Sequence, residues 1–212
     1  MDETHRFSAG DVIGIGGAQT RRGALTHWIR PAAASAALVG AGAGATAALA
    51  RSSARLTHRD RQVLGFLVGL EQLESAFYVA ALRPGRLTGE HRQFATIVGR
   101  EERAHLHALV DLLGGHAPPA AHYRFGHTVG SNGAFAAGAA SLEDTVVAAY
   151  NGQAENLSRH ALGQVARIMS VESRHAAWAR GLAGKLPAPV AADRAIDAAA
   201  TMKALRPFLG QS

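Results

Sequence analysis

The feature that most constrains this chain is a pair of Glu-x-x-His motifs, which begin at Glu102 and Glu172 and lie seventy residues apart. On a helix, residues three positions apart share a face, so each motif presents a carboxylate and an imidazole on one side. Each motif follows a glutamate in another apolar stretch, Glu71 or Glu143. The pattern predicts one cluster between four helices. Its six members are Glu71, Glu102, His105, Glu143, Glu172 and His175.

The composition favours a nearly all-α protein. Apolar residues make up 48% of the 212 residues, which is enough for a core, and alternating β-branched runs are few and short. The chain has no cysteine, which excludes disulfides, cysteine-ligated zinc and iron–sulfur clusters. Any bound metal must therefore be held by oxygen and nitrogen, and such ligands suit iron or manganese.

Helix start and stop signals predict four long helices and a short final one. The predicted spans are about 59–82, 88–113, 134–150, 158–182 and 191–205. Between the second and third helices lie some twenty residues, including Pro118, Pro119 and the anchor candidates Tyr123 and Phe125. A crossover along a bundle must cover about 35–40 Å, which takes at least about eleven or twelve extended residues. We therefore predict a four-helix bundle with one long crossover.

The two halves of the helical region form a weak internal repeat. Leu70-Glu71 precedes Tyr78 by the same interval that separates Leu142-Glu143 from Tyr150. Each half then reads as a helical hairpin with one candidate ligand on its first helix and two on its second.

Buried carboxylates set the electrostatic argument for metal. Four ionised glutamates in one apolar interior would repel each other and largely protonate, whereas two divalent cations would neutralise them. The expected arrangement gives each of Glu71 and Glu143 to one metal, lets Glu102 and Glu172 bridge, and places one histidine on each metal. A single Glu-x-x-His motif is usually a surface pair, so the prediction rests on the joint pattern.

Four neighbouring residues have two interpretations each. Glu74 competes with Glu71, and Glu101 with Glu102; we expect both competitors to face solvent or to lie just outside the ligands. Tyr78 and Tyr150 are expected either as core residues or as hydrogen-bond donors to the ligands. We therefore do not count Glu74, Glu101, Tyr78 and Tyr150 among the predicted metal ligands.

Residues 1–50 differ from the rest and are interpreted as an export segment. Arg21-Arg22 precedes a weakly apolar run that ends in Ala48-Leu49-Ala50, a small-x-small pattern. This order is typical of a twin-arginine signal peptide and would leave residues 51–212 as the folded domain. A flexible tail on a cytoplasmic protein and a membrane anchor are the alternatives, and the low apolarity of Ala and Gly disfavours the anchor.

The chain is basic, with a formal net charge of +6 and a pI of about 10.7. Such a charge can serve binding to nucleic acid or to an anionic surface. The arginines are scattered through the helices and aromatic residues do not interleave with them. We therefore expect a solvated arginine-rich surface and no nucleic-acid partner.

Residues 60–212 resemble the ferritin-like superfamily, and in particular its exported branch of plant desiccation-related proteins and bacterial homologues. The resemblance is carried by segments around the candidate ligands: 70–78, 101–105, 141–145 and 171–178. It implies a left-handed four-helix bundle with a carboxylate-bridged pair of metal ions, iron first and manganese as the alternative. Superfamily members oxidise ferrous iron, store iron, reduce peroxides or activate dioxygen.

Two functions follow as expectations. The first is an exported two-metal protein, a ferroxidase or peroxidase type of oxidoreductase acting on ferrous iron, dioxygen or peroxide in stress protection. The second is a non-catalytic envelope or desiccation-stress protein that keeps the bundle as a scaffold. A homo-oligomer is compatible with either function.

Overall fold

The computed structural model describes residues 56–210, and the interpretation of residues 1–50 as an export segment lies outside this range. Its helices confirm the predicted all-α fold, and the only strand-like pairing in the described part is a single bridge. The five helices, α1 to α5, are His58–Ala81, Gly89–Leu112, Asn132–Ala154, Arg159–Leu182 and Ala198–Ala204.

Two helical hairpins build the bundle. Helix α1 packs most extensively on α2, and α3 on α4, while smaller contacts join α1 to α3 and α2 to α4. Side-chain caps begin three of the four long helices: Thr57, Ser131 and Ser158 each accept a hydrogen bond from a backbone N–H in the first turn. Each hairpin thus contains three of the six candidate ligands.

Hydrogen bonds between helix starts fix the relative direction of the hairpins. The Asp60 carboxylate accepts from the Ser158 backbone N–H at 2.8 Å, so α1 and α4 begin at the same end of the bundle. At the other end, Asn132 exchanges hydrogen bonds of 3.1 Å with Thr88, so α2 and α3 also begin together. The chain that leaves α2 must therefore return along the full helix length before α3 can start.

The crossover that makes this return spans residues 113–131. It ends in a 3-10 turn, Gly126–Val129, that packs on α3 and α1. Both predicted anchors contact the rest of the fold. Tyr123 forms an isolated β-bridge with Leu209, and the centroid of the Phe125 ring lies 5.5 Å from that of the Phe77 ring. The crossover is thus held between the bundle and the C-terminal segment.

Two predicted boundaries are wrong, and both lie beside α3. We expected that helix to end at Tyr150, but it continues to Ala154. The polar side chain of Asn151, which we expected to lie in a break, donates to the Arg194 carbonyl at 3.2 Å instead of ending the helix. The final helix starts at 198 instead of 191. The Ile196 N–H donates to the Ala148 carbonyl at 3.0 Å, which keeps this segment against α3 until Asp197 caps α5.

Helix α1 is the only one in residues 56–210 whose length and apolar composition would allow it to cross a membrane. In the bundle, 56% of its most apolar stretch is buried, and the same helix contains the buried Glu71 and Glu74. Packing against the other helices accounts for this composition.

Candidate metal centre

Each long helix contributes one of the four predicted glutamate ligands to the interior. Glu71, Glu102, Glu143 and Glu172 come from α1, α2, α3 and α4 in turn, and each is 0% exposed. Their positions follow from the apolar stripes around them, since residues three and four positions away on the same face include buried aliphatic side chains. Burial of the stripe necessarily takes the carboxylate inside.

The side chain of His105 lies among three of these carboxylates. Its Nδ1 atom is 2.6 Å from Glu172 Oε1, 3.2 Å from Glu102 Oε2 and 3.7 Å from Glu71 Oε2. One of the three carboxylates belongs to its own helix, one to the preceding helix and one to the other hairpin.

His175 has the equivalent surroundings in the other half. Its Nδ1 atom is 2.7 Å from Glu102 Oε1, 3.7 Å from Glu172 Oε2 and 4.0 Å from Glu143 Oε2. The two imidazole rings stack with centroids 5.8 Å apart. The internal repeat of the sequence therefore appears in space as an approximate two-fold arrangement.

The donor atoms form two overlapping groups. In each group the atoms lie within 4.8 Å of one another, and Glu102 and Glu172 belong to both groups. The groups are Glu71, Glu102, His105, Glu172 and Glu102, Glu143, Glu172, His175. The structure thus brings together all six residues that the sequence pattern singled out, and the two shared glutamates are those expected to bridge.

Two buried tyrosines form hydrogen bonds across the bundle with Glu71 and Glu143, the two glutamates that belong to only one donor group each. The Tyr78 hydroxyl donates to Glu143 Oε1, and the Tyr150 hydroxyl donates to Glu71 Oε1. Both side chains are fully buried. Each tyrosine is therefore both a core residue and a hydrogen-bond donor to a candidate ligand, so the two interpretations made from the sequence apply to both residues.

Residues 59–185, more than half of the chain, match the family model described as the ferritin-like domain. The chain belongs to the ferritin-like domain family. A search of curated proteins found no match to it. The family, the helical bundle and the buried cluster together make this ferritin-like domain compatible with a two-metal site.

In the ferritin-like domain without metal, the histidines carry the positive charge of the cluster. Burial opposes that charge, but hydrogen bonds with Glu102 and Glu172 outweigh it and raise the pKa of His105 to about 9 and that of His175 to about 12. Burial likewise opposes ionisation of Glu102, yet its hydrogen bonds with both histidines lower its pKa to about 2. Imidazolium and carboxylate therefore stabilise each other at the centre.

The pKa values of Glu71 and Glu143, the two glutamates that belong to one donor group each, shift upward, opposite to that of Glu102. Burial raises the pKa of Glu71 well above its ordinary value, and the charges of Glu172 and Glu102 add to the effect. Burial also raises the pKa of Glu143, with further contributions from Glu102 and Glu172. Without metal, the surroundings of these two carboxyls in the ferritin-like domain therefore favour the protonated, neutral form.

The solvent-facing alternative for Glu74 is wrong. This residue lies on α1 one turn after Glu71, is 0% exposed, and neither of its carboxylate oxygens has a hydrogen-bond partner within residues 56–210. Burial raises its pKa well above the ordinary value, and the charge of Glu102 is the next cause. The sequence signal was present in the spacing, because positions 71, 74 and 78 share one helical face.

Glu101 lies at the edge of the cluster, as one of the two expectations had it. Its side chain is 39% exposed, and its Oε2 atom is 2.7 Å from His175 Nε2. It contacts the outer nitrogen of a candidate ligand while the inner nitrogen faces Glu102. Glu101 therefore connects the buried cluster to the protein surface between α2 and α4.

The residues present fit a pair of divalent cations. Three buried carboxylate oxygens of the cluster have no hydrogen-bond partner within the described residues: Glu71 Oε2, Glu143 Oε2 and Glu172 Oε2. Unsatisfied buried oxygens cost free energy unless a donor or a cation reaches them. Four carboxylates and two imidazoles converge without cysteine, a donor set that suits iron or manganese.

Proposed function

We propose that this ferritin-like protein binds two metal ions, iron or manganese, and uses them for redox chemistry on ferrous iron, dioxygen or peroxide. The observation that carries the proposal is the sharing of Glu102 and Glu172 between two groups of donor atoms. Carboxylates common to both groups favour a bridged pair over two separate sites. Bound iron or manganese would supply one-electron redox changes and positive charge to a small oxidant.

The protein's own residues support a small substrate. All four glutamates are fully buried, and His105 and His175 are nearly so. Without opening of the bundle, only a molecule the size of dioxygen, peroxide or a metal ion can approach such a centre. Tyr78, whose hydroxyl donates to Glu143, packs against the rings of Phe77, Phe94 and Phe135 with centroids 5.3 to 6.1 Å apart, so the surroundings of the tyrosine are apolar.

The test begins with elemental analysis of the purified full chain. We expect about two iron or manganese ions per chain, and near-complete loss of both in a Glu102→Gln, Glu172→Gln double variant, because each residue serves both groups. Glu155→Gln, at an exposed position after α3, is the matched control. Oxygen consumption after anaerobic loading with ferrous ion, and peroxide decay, then separate the reactions. Wild-type protein that binds neither iron nor manganese would contradict the proposal.

A scaffold without catalysis is the second candidate, and one observation favours it. His105 and His175 each lie within 2.7 Å of a carboxylate oxygen, and their raised pKa values let two imidazoliums neutralise part of the cluster without metal. This role would suit the envelope or desiccation-stress function that the resemblance implies. It predicts unchanged oxygen and peroxide consumption when the metal is stripped from a protein that contains it.

Export by the twin-arginine route is a separate proposal, supported by residues 20–50 of the sequence alone. Replacement of both Arg21 and Arg22 by lysine should retain the protein in the cytoplasm, because the route requires the arginine pair. Amino-terminal sequencing of the exported form should begin at Arg51. Export that survives the double replacement would exclude this route.

A further inference from the structure

The two histidines have similar surroundings at their inner ring nitrogens, the Nδ1 atoms that face the carboxylates. The Nδ1 atoms of His105 and His175 both face the carboxylates, at 2.6 and 2.7 Å from the nearest oxygen. Each histidine also lies three residues after a shared glutamate of its own helix. From the inner side alone, the two positions for metal would be equivalent.

The outer side is not symmetric. His175 Nε2 lies 2.7 Å from Glu101 Oε2, on the neighbouring helix α2. Glu101 immediately precedes Glu102, and the residue that immediately precedes Glu172 in the repeat is Val171. Within residues 56–210, His105 Nε2 has no hydrogen-bond partner corresponding to Glu101. One histidine therefore has a carboxylate behind it, and the other has a valine at the matching position.

A carboxylate behind a metal-binding imidazole has known effects. It accepts the outer N–H, which fixes the tautomer with the inner nitrogen free to bind, holds the ring orientation and makes that nitrogen more basic. Loss of such a partner typically weakens metal binding 10- to 100-fold. Since Glu101 is only part-exposed, its charge is not fully screened by solvent.

We infer that Glu101 is a positioning residue that makes the two metal positions unequal. The position at His175, with Glu143, binds its ion more tightly, and the position at His105, with Glu71, is the weaker and more readily exchanged one. This inference rests on the proposed two-metal centre. It gives the pair a filling order that the repeat of ligands alone does not imply.

The experiment is a titration of metal-stripped full chain with Co²⁺, followed by visible absorption and by calorimetry. Wild-type protein should bind two ions in two steps of different affinity. Glu101→Ala should weaken the tighter step about 10- to 100-fold and leave the weaker step unchanged, and Glu101→Gln, which keeps an acceptor oxygen, should have an intermediate effect. His175→Ala should remove the same step that Glu101→Ala weakens, whereas His105→Ala should remove the other.

Glu90→Ala is the matched control. Glu90 is also on α2 and also accepts a hydrogen bond from α4, from Trp178 Nε1 at 3.1 Å, but it does not contact the cluster. It should leave both steps unchanged. A titration in which Glu101→Ala weakens both steps equally, or neither, would overturn the inference while leaving the two-metal centre intact. Wild-type protein that binds no Co²⁺ would instead overturn the proposed function and this inference with it.

As a spectroscopic check, the Zn²⁺-loaded protein labelled with ¹⁵N-histidine reports the outer N–H directly. We expect one strongly downfield, exchange-protected Nε2–H signal in wild type and in Glu90→Ala, lost in Glu101→Ala. A purely structural role for Glu101 would not move this signal, so its persistence in Glu101→Ala would contradict the inference.

Discussion

Tyr150 donates its hydroxyl hydrogen to Glu71, a residue 79 positions earlier in the other hairpin. Tyr78 and Glu143 form the corresponding bond across 65 positions. Each tyrosine lies seven residues after the glutamate of its own helix, yet it bonds the glutamate of the other hairpin. The two bonds therefore tie the hairpins together at the candidate centre.

Removing either hydroxyl should weaken the bundle. Tyr78→Phe or Tyr150→Phe leaves a buried carboxyl oxygen without its donor, and we expect the free energy of unfolding to fall by about 1–3 kcal/mol in each case. Chemical denaturation of the metal-free protein measures the change. Tyr123→Phe, at a half-buried position on the crossover, is the control and should change stability by less than about 0.5 kcal/mol. Equal values for all three variants would mean that the bonds to the glutamates contribute nothing.

Metal loading should release protons. At pH 7 the metal-free centre holds a dissociable proton on each of His105 and His175, because their pKa values are raised to about 9 and about 12. The raised pKa values of Glu71 and Glu143 also favour the protonated form of these two carboxyls. Ligands bind metal in the deprotonated form, so two divalent cations should displace at least about two protons per chain, one from each histidine. Calorimetry in buffers of different ionisation enthalpy counts them. Release of fewer than about two protons would contradict the assigned ligands.

The same shifts set how stability depends on pH. The histidines' raised pKa values stabilise the metal-free fold below their unfolded value near 6.5, and this contribution is lost as pH rises through about 9 for His105 and about 12 for His175. Metal-free protein should therefore lose stability between pH 7 and pH 10. Metal-bound protein does not depend on these protons, so the difference in Tm between the two forms should widen over this range. A constant difference would count against histidine protonation.

Glu74→Leu should stabilise the metal-free protein. The carboxyl is fully buried and unpartnered within the described residues, and leucine has a similar volume without the desolvation penalty. Because the pKa of Glu74 is raised, its cost grows from its unfolded value near 4.5 upward. We expect a gain of about 1–3 kcal/mol at neutral pH, smaller at pH 5 than at pH 9. Glu155→Leu at an exposed position is the control, and a destabilised Glu74→Leu would reveal a stabilising partner.

Gly99→Ala should separate α1 from α2 beside the centre. A Cβ atom at position 99 would lie 2.6 Å from Tyr78 Cβ, an atom that cannot move without its helix. We expect a loss of about 1–3 kcal/mol in the free energy of unfolding, measured by denaturation. Gly163→Ala, on the exposed face of α4 where no atom lies within 4 Å, should instead be neutral or stabilising by up to about 1 kcal/mol. Equal losses in both variants would exclude the close approach as the cause.

Local features of the chain were predictable where one helix contains the whole signal. The spacing of Glu102 to His105 and of Glu172 to His175 places each pair on one face. The four long helices also begin within two residues of their predicted starts. The two misplaced boundaries near 151 and 191 depend on the contact between α3 and the C-terminal segment. A pattern within either segment does not contain that contact.

The sequence alone determined the helices, the long return between the hairpins and the identity of the six side chains at the centre. It could do so because helical period and cap chemistry act over a few residues. Only the tertiary structure decided the crossed tyrosine bonds, the complete burial of Glu74 and the contact of Glu101 with His175. Each of these depends on the register between helices, which the packing of whole apolar faces sets to within an ångström. Hydrogen bonding and desolvation vary steeply over that distance, so the spacing of residues along the chain does not determine them.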